Sequence, residues 1–268
     1  MKKRTVLTAL LCLLAARAAL AASAGGEVVA SGLSAPVGMA HDGHGRLWVA
    51  EWGADRIVLL DGRGRRSEVV GGISQPAGLA VDAYGTLWIA GYGDGRIYTW
   101  TPEQGLRVAG EGFSAPTGLF WSAETGLLAA NRNAGEVVRI RQDGTREVVS
   151  RGHRLPVGVT RLADGSLAVS CYGGSVDRVS PDGAIQSIPA RDVGLVGPGV
   201  GILTDGGRLF VVDNGGGTVA RLEAGKMADT LASGLMSPVG LTRAPDGRLL
   251  VASWGDGTVR SLAAPPKE

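Results

Sequence analysis

Short apolar runs recur along the chain, each cut by a turn rich in glycine. In "LWVAEWGADRI", from Leu47 to Ile57, the run ends where Glu51 and Trp52 meet such a turn. The stretches "SAPVGMAHDGHGRLWVAEWGADRI" from Ser34, "SQPAGLAVDAYGTLWIAGYGDGRI" from Ser74 and "SPVGLTRAPDGRLLVASWGDGTV" from Ser237 are copies of one unit. Their anchoring prolines are Pro36, Pro76, Pro116, Pro156, Pro198 and Pro238, about 40 residues apart, which makes six units.

Aligned on those prolines, a leucine recurs at positions 47, 87, 127, 167, 209 and 249. Two residues on stand Val49, Ile89, Ala129, Val169, Val211 and Val251, and between them Trp48, Trp88, Leu128, Ala168, Phe210 and Leu250. Both faces of this strand are apolar, as in a strand sandwiched between neighbouring sheets; a one-sided sheet would alternate with polar residues. Each unit reads as four short strands, for example Ala77 to Asp82, Thr86 to Ala90, Arg96 to Trp100 and Leu106 to Ala109. Four strands in about 40 residues is the arithmetic of a propeller blade. The sixth unit stops after its third strand, while "EVVASGL" from Glu27 precedes the first proline and matches "EVVSRGH" from Glu147. The predicted fold is therefore all-β, a six-bladed β-propeller with four-stranded blades, the N-terminal strand closing the last one.

In that architecture two residue sets ring one mouth. The inner set follows each proline: Val37, Ala77, Thr117, Val157, Gly199 and Val239. The outer set starts the hairpin between the second and third strands: Glu51-Trp52, Gly91-Tyr92, Asn131-Arg132, Cys171-Tyr172, Asp213-Asn214 and Ser253-Trp254. Four of the thirteen aromatic residues, Trp52, Tyr92, Tyr172 and Trp254, fall at one repeat position, and three belong to consecutive blades. Amphipathic rings at a wet mouth suit stacking on a sugar or gripping a peptide, with Arg132 and Asn214 as polar partners. Trp48, Trp88 and Phe210 read as core.

Acid–base candidates are Glu51, His153 and Asp213. His153 aligns with Leu33, Ile73, Phe113 and Leu235, a titratable ring at an apolar repeat position. Glu51, Asn131 and Asp213 stand at matching positions in alternate blades and offer the oxygen ligands that suit calcium or magnesium, although no cofactor is expected. Cys171 has no cysteine partner or nearby histidine in the sequence, which argues against a nucleophile. His41 and His44 read as solvent-facing turn residues. The stretch "IPARDVGLVGPG" from Ile188 lengthens the loop before the fifth blade, in the manner of a lid or of slack.

Residues 1–24 read as a cleaved signal peptide. Lys2, Lys3 and Arg4 precede an apolar stretch from Leu7 to Ala16, then small residues at Ala19-Leu20-Ala21 or Ala22-Ser23-Ala24. The apolar stretch is about ten residues, short of the roughly 20 that span a bilayer, so export without membrane insertion is expected, to the periplasm or beyond. Its loss removes four of 27 basic residues, leaving 23 against 25 acidic ones, a formal charge of −2 that gives nucleic acid no footing. Of the two cysteines only Cys171 then remains, so no internal disulfide forms. Residues 25–268 are expected to form one monomeric domain.

"VDAYGTLWIAGYGDGRI" and "SCYGGSVDRVSPDG" resemble the repeats of the SMP-30/gluconolactonase family and the wider NHL-repeat group, and "LWVAEWGADRI" is similar to repeats of streptogramin B lyase. The resemblance implies a propeller and, in those families, metal-binding Asn, Asp or His in the middle of the Pro-x-Gly turn. This chain carries the inner set named above at those places, so that metal chemistry is not carried over. The expected function is binding of a small molecule, glycan or peptide at an aromatic-rimmed mouth. The alternatives are a lactonase-type metal-dependent hydrolase or a lyase with a rearranged site, and a protein-interaction scaffold.

Overall fold

A computed structural model describes residues 25–263 except positions 43, 142, 224 and 225. The expected signal peptide, residues 1–24, lies outside the described residues. Six four-stranded antiparallel sheets form the blades of a propeller. The first blade is β2 (Pro36–His41), β3 (Leu47–Glu51), β4 (Arg56–Leu60) and β5 (Arg66–Gly71). The second is β6 (Pro76–Val81), β7 (Leu87–Gly91), β8 (Arg96–Thr101) and β9 (Gly105–Gly110), each within a residue or so of the boundaries predicted from the apolar pattern. The third is β10 (Pro116–Ser122), β11 (Gly126–Asn131), β12 (Glu136–Ile140) and β13 (Arg146–Arg151), and the fourth is β14 (Pro156–Arg161), β15 (Leu167–Cys171), β16 (Ser175–Val179) and β17 (Ile185–Pro189). The fifth holds β18 (Pro198–Asp205), β19 (Arg208–Asp213), β20 (Thr218–Glu223) and β21 (Lys226–Ala232).

The last blade holds β22 (Pro238–Arg243), β23 (Leu249–Ser253) and β24 (Thr258–Leu262), and its outer strand is β1 (Glu27–Ala30). β1 runs antiparallel to β24, with Glu27 opposite Ser261. The two ends of the chain thus share one sheet, which removes a free edge and ties the ring shut.

The second strand of each blade is buried along its length because its two faces meet different neighbours. Leu47 and Val49 pack with Leu250, Ala252 and Val259 of the sixth blade, while Trp48 and Ala50 pack with Leu79, Leu87 and Ile89 of the second. The tight inner ring depends on glycine. A Cβ on Gly38 would lie 2.0 Å from the Ala77 carbonyl oxygen, and one on Gly240 would lie 1.9 Å from that of Val37. No side chain fits there, so in five blades the Pro-x-Gly motif is what lets the inner strand press on the next, including across the closure between last and first blades; in the fifth, Gly201, one residue further from its proline, plays that part, a Cβ there lying 2.7 Å from the Leu241 nitrogen.

The lengthened loop before the fifth blade is neither free lid nor slack. It folds as a 3₁₀ turn, Ala190–Val193, and Ala190, Val193 and Leu195 are buried against Ile202, Val211 and Ala220.

Candidate functional site

The mouth is built by a backbone staple repeated from blade to blade. In the first blade the Trp52 N–H donates to the Ala35 carbonyl at 3.2 Å and the Gly53 N–H to that of Ser34 at 3.1 Å. The same pair joins Tyr92 and Gly93 to Gln75 and Ser74, Arg132 and Asn133 to Ala115 and Ser114, Tyr172 and Gly173 to Leu155 and Arg154, and Trp254 and Gly255 to Ser237 and Met236. Ala35, Gln75, Ala115, Leu155 and Ser237 hold left-handed φ angles of 47 to 55° immediately before proline, a conformation L-residues seldom adopt. The staple offsets that strain and fixes each hairpin residue over the mouth. The fifth blade departs from the rule: Gly197 precedes its proline, and a bond from the Gly215 N–H to the Gly197 carbonyl ties hairpin to loop.

A cavity of about 400 Å³ opens there. Val37, Ala77, Thr117, Val157, Gly199 and Val239 line its base, and Trp52, Tyr92, Arg132, Tyr172, Asn214 and Trp254 line its wall. The inner set and the second residue of each outer pair therefore meet at one place. The three rings of the sixth, first and second blades touch: Trp52 lies 5.4 Å from Trp254 and 4.5 Å from Tyr92, centroid to centroid, with interplanar angles of 52° and 51°. Such tilted contacts stiffen the wall. The Arg132 guanidinium continues the arc, 3.4 Å from the Tyr92 hydroxyl and 5.8 Å from the Tyr172 ring centroid. On the remaining blade the Asn214 amide donates to the Pro238 carbonyl at 3.0 Å. Thr117, the single polar residue of the base, turns its hydroxyl toward the carbonyls of Ala130 and Pro156. The throat below, lined by Gly38, Gly78, Gly118 and Leu241 among others, shrinks to about 50 Å³.

The hairpin residues just before this wall turn the other way. Glu51 is fully buried; its Oε1 accepts the Ser34 N–H at 2.8 Å and its Oε2 the Arg56 Nε–H at 2.5 Å, with Arg66 at 3.3 Å. Asn131 Oδ1 accepts the Ser114 N–H at 2.7 Å, and the Asp213 carboxylate accepts those of Val196 and Gly197. In the second blade Gly91 has no side chain, and Asp94 fills the space that a Cβ would take, 2.4 Å away. Glu51, Asn131 and Asp213 each cap the loop of their own blade, and none lines the cavity. Their oxygens hold the mouth in shape by accepting loop N–H groups.

His153, the titratable ring at an apolar repeat position, is buried between blades, and Cys171, which has no histidine near it in the sequence, lies in the same cluster. His153 Nδ1–H donates to Asp177 Oδ2 at 2.7 Å, the Ser150 hydroxyl lies 2.7 Å from Nε2, and the Cys171 thiol lies 3.3 Å from Asp177 Oδ2. The Ser175 and Ser187 hydroxyls donate to Asp177 Oδ1 at 2.8 and 2.6 Å. Burial alone would raise the pKa of Asp177, but hydrogen bonds from His153, the two serines and Cys171 outweigh it and hold the carboxyl down at about 2. Burial, and then the charge of Asp177, pushes the Cys171 thiol well above its ordinary value. A thiol so placed is a poor nucleophile, and the two ring nitrogens of His153 are engaged by Asp177 and Ser150 at 2.7 Å each. In four other blades the equivalent pair is apolar or aromatic, as Leu33 with Val58, Ile73 with Tyr98, Phe113 with Val138 and Leu195 with Ala220, while the sixth holds Leu235 and Arg260 in these columns. His153 and Asp177 are a polar version of the same packing contact.

At the opposite face, His44 is exposed, but His41 is partly buried with both ring nitrogens lacking a hydrogen-bond partner, contrary to the solvent-facing reading. Burial lowers its pKa against the pull of nearby Asp42 and Asp246.

No family model and no curated protein matches the chain. Solved structures share its fold. A gluconolactonase from Xanthomonas campestris superposes with a TM-score of 0.76 at 17% identity, covering 89% of both chains. A streptogramin B lyase gives 0.64 at 16% identity over 87% of this chain and 94% of its own. The PQQ-bound aldose sugar dehydrogenase of Streptomyces coelicolor gives 0.70 at 17% identity over 88% and 96%. Three unlike chemistries on one architecture establish the propeller and leave function to the site.

Proposed function

We propose that the mouth binds a small organic molecule, or the terminal unit of a glycan or peptide, by stacking it against Trp254, Trp52 and Tyr92. The observation that carries this reading is the continuous aromatic wall around a cavity of about 400 Å³ with an apolar base. That volume lies in the range of ligand sites, roughly 300–1,000 Å³, and flat rings offer contact area at small entropic cost. The protein acts outside the cytoplasm, as the basic and apolar pattern of residues 1–24 supports, and as a monomer. A lactonase-type hydrolase using calcium or magnesium on Glu51 and Asp213 would need those carboxylates at the cavity, which they do not line.

A thermal-shift screen of metabolites and oligosaccharides tests the reading. Compounds that raise the melting temperature of the wild type should have no effect on the Trp52→Ala, Trp254→Ala double variant. Equal shifts in both proteins would remove the aromatic wall from the binding site.

A further inference from the structure

We infer that the ligand of this mouth carries a carboxylate, or a similar flat anionic group, on a planar or apolar body, and that Arg132 reads it. The inference rests on the mouth being the ligand site, as proposed above. Arg132 is the one lining residue with a formal charge, and no aspartate or glutamate lines the cavity with it. An anionic ligand would meet a cation and no opposing carboxylate; an ammonium could meet the aromatic faces but would find that cation beside it and no carboxylate to pair with.

Several arginines beside these hairpins are paired with carboxylates. Arg56 is matched to Glu51 at 2.5 Å, Arg151 to Glu136 at 3.0 Å and Arg260 to Asp256 at 3.0 Å. Arg132 instead has only neutral partners: its Nη1 donates to Asn133 Oδ1 at 2.9 Å and lies 3.4 Å from the Tyr92 hydroxyl. Among the described residues its Nε and Nη2 have no acceptor, which leaves one edge of the guanidinium fork open. That edge matches the two oxygens of a carboxylate. Tyr92, Tyr172 and Asn133 hold the side chain in place, so little rotamer freedom is left to lose on binding, and the surrounding rings lower the local dielectric and strengthen the charge contact.

The test uses three probes with one aromatic body: indole-3-acetate, indole-3-acetamide and tryptamine. Their affinities are measured by isothermal titration with the mature wild type, Arg132→Gln, Arg132→Lys and Trp52→Ala, after circular dichroism melts confirm that each variant folds. The acetate should bind at least about tenfold tighter than the amide, with tryptamine the weakest, as a charge-assisted bidentate contact requires. Arg132→Gln should bring the acetate-to-amide ratio to about one, and Arg132→Lys should keep part of it, since lysine retains the charge without the fork. Added salt should weaken the acetate and leave the amide unchanged. Equal affinities of acetate and amide for the wild type, a ratio that survives Arg132→Gln, or no binding by any probe at its highest soluble concentration would each overturn the anion inference. Probes that bind equally yet are lost in Trp52→Ala would leave the mouth as the site and refute only its preference for anions. Probes unaffected by either Trp52→Ala or Arg132→Gln would refute both.

Discussion

Glu51 and Trp52 are neighbours in the chain and belong to two concentric rings with opposite tasks. Glu51 lies fully inside the blade, spending its oxygens on a loop N–H and two arginines, whereas Trp52 stands in the wall of the cavity. The same division separates Asn131 from Arg132, Cys171 from Tyr172 and Asp213 from Asn214. Successive residues at a strand end face opposite ways, so a hairpin start delivers one side chain to the blade and the next to the mouth. The difference teaches that the residues with the most reactive chemistry are scaffold here, while the exposed apolar and aromatic ones are free to meet a ligand.

The sharpest way to break that division is Glu51→Leu. It leaves the Ser34 N–H without its acceptor and returns two partly exposed arginines to water, a loss of up to about 3 kcal/mol. Denaturant unfolding should show that loss; a variant of wild-type stability that no longer binds ligand would instead place Glu51 in the site.

Asp177 should behave in the same manner, with a signature in pH. The pKa of its carboxyl falls from 3.8 to about 2 on folding, so the stabilisation it brings is complete above pH 4 and drains away as the pH falls toward 2. Each tenfold change in proton affinity corresponds to about 1.4 kcal/mol, which sets the loss at about 2 kcal/mol. Unfolding titrations should show this acid-side loss in the wild type and not in Asp177→Asn. Asp177→Val alone should cost more than it does beside His153→Leu, because the double variant restores the apolar contact found in other blades; strict additivity would mean that the two residues do not act as a pair.

Trp254→Ala marks the other side of the comparison. The residue is 40% exposed, so its removal should lower stability by about 1–2 kcal/mol while weakening any mouth ligand about tenfold or more. Titration and melting of one preparation separate the two effects. The smallest change expected is in Ser253→Ala. Ser253 occupies the buried position of the sixth blade and its hydroxyl has no hydrogen-bond partner among the described residues, so its loss should be neutral or stabilise by about 0.5 kcal/mol. A destabilised variant would show that the hydroxyl has a structural partner after all.

Much of this arrangement was legible in the sequence. Prolines about 40 residues apart, apolar side chains on both faces of one strand and a stray "EVV" before the first unit were enough to predict six blades and their closure. The cavity lining was legible too, because alignment on those prolines brings Val37 and Trp52 into register with their counterparts in every blade. What alignment could not show was the direction of Glu51, Asn131 and Asp213, since their acceptor work involves backbone N–H groups 16 or 17 residues away. The His153–Asp177 contact was missed for a similar reason: it joins a loop to a strand 24 residues on. A signal was present nonetheless. His153 and Asp177 are polar residues in two columns that elsewhere hold pairs such as Leu33 and Val58, and two coincident exceptions in contacting columns point to each other.

The most direct test of the division between scaffold and mouth is a crystal structure with the tightest-binding compound from the thermal-shift screen. The account predicts density against Trp52, Tyr92 and Trp254, with the Glu51 and Asp213 carboxylates still on the N–H groups of Ser34 and Gly197. A divalent ion on the oxygens of Glu51 or Asp213, or a ligand seated on the opposite face, would contradict it.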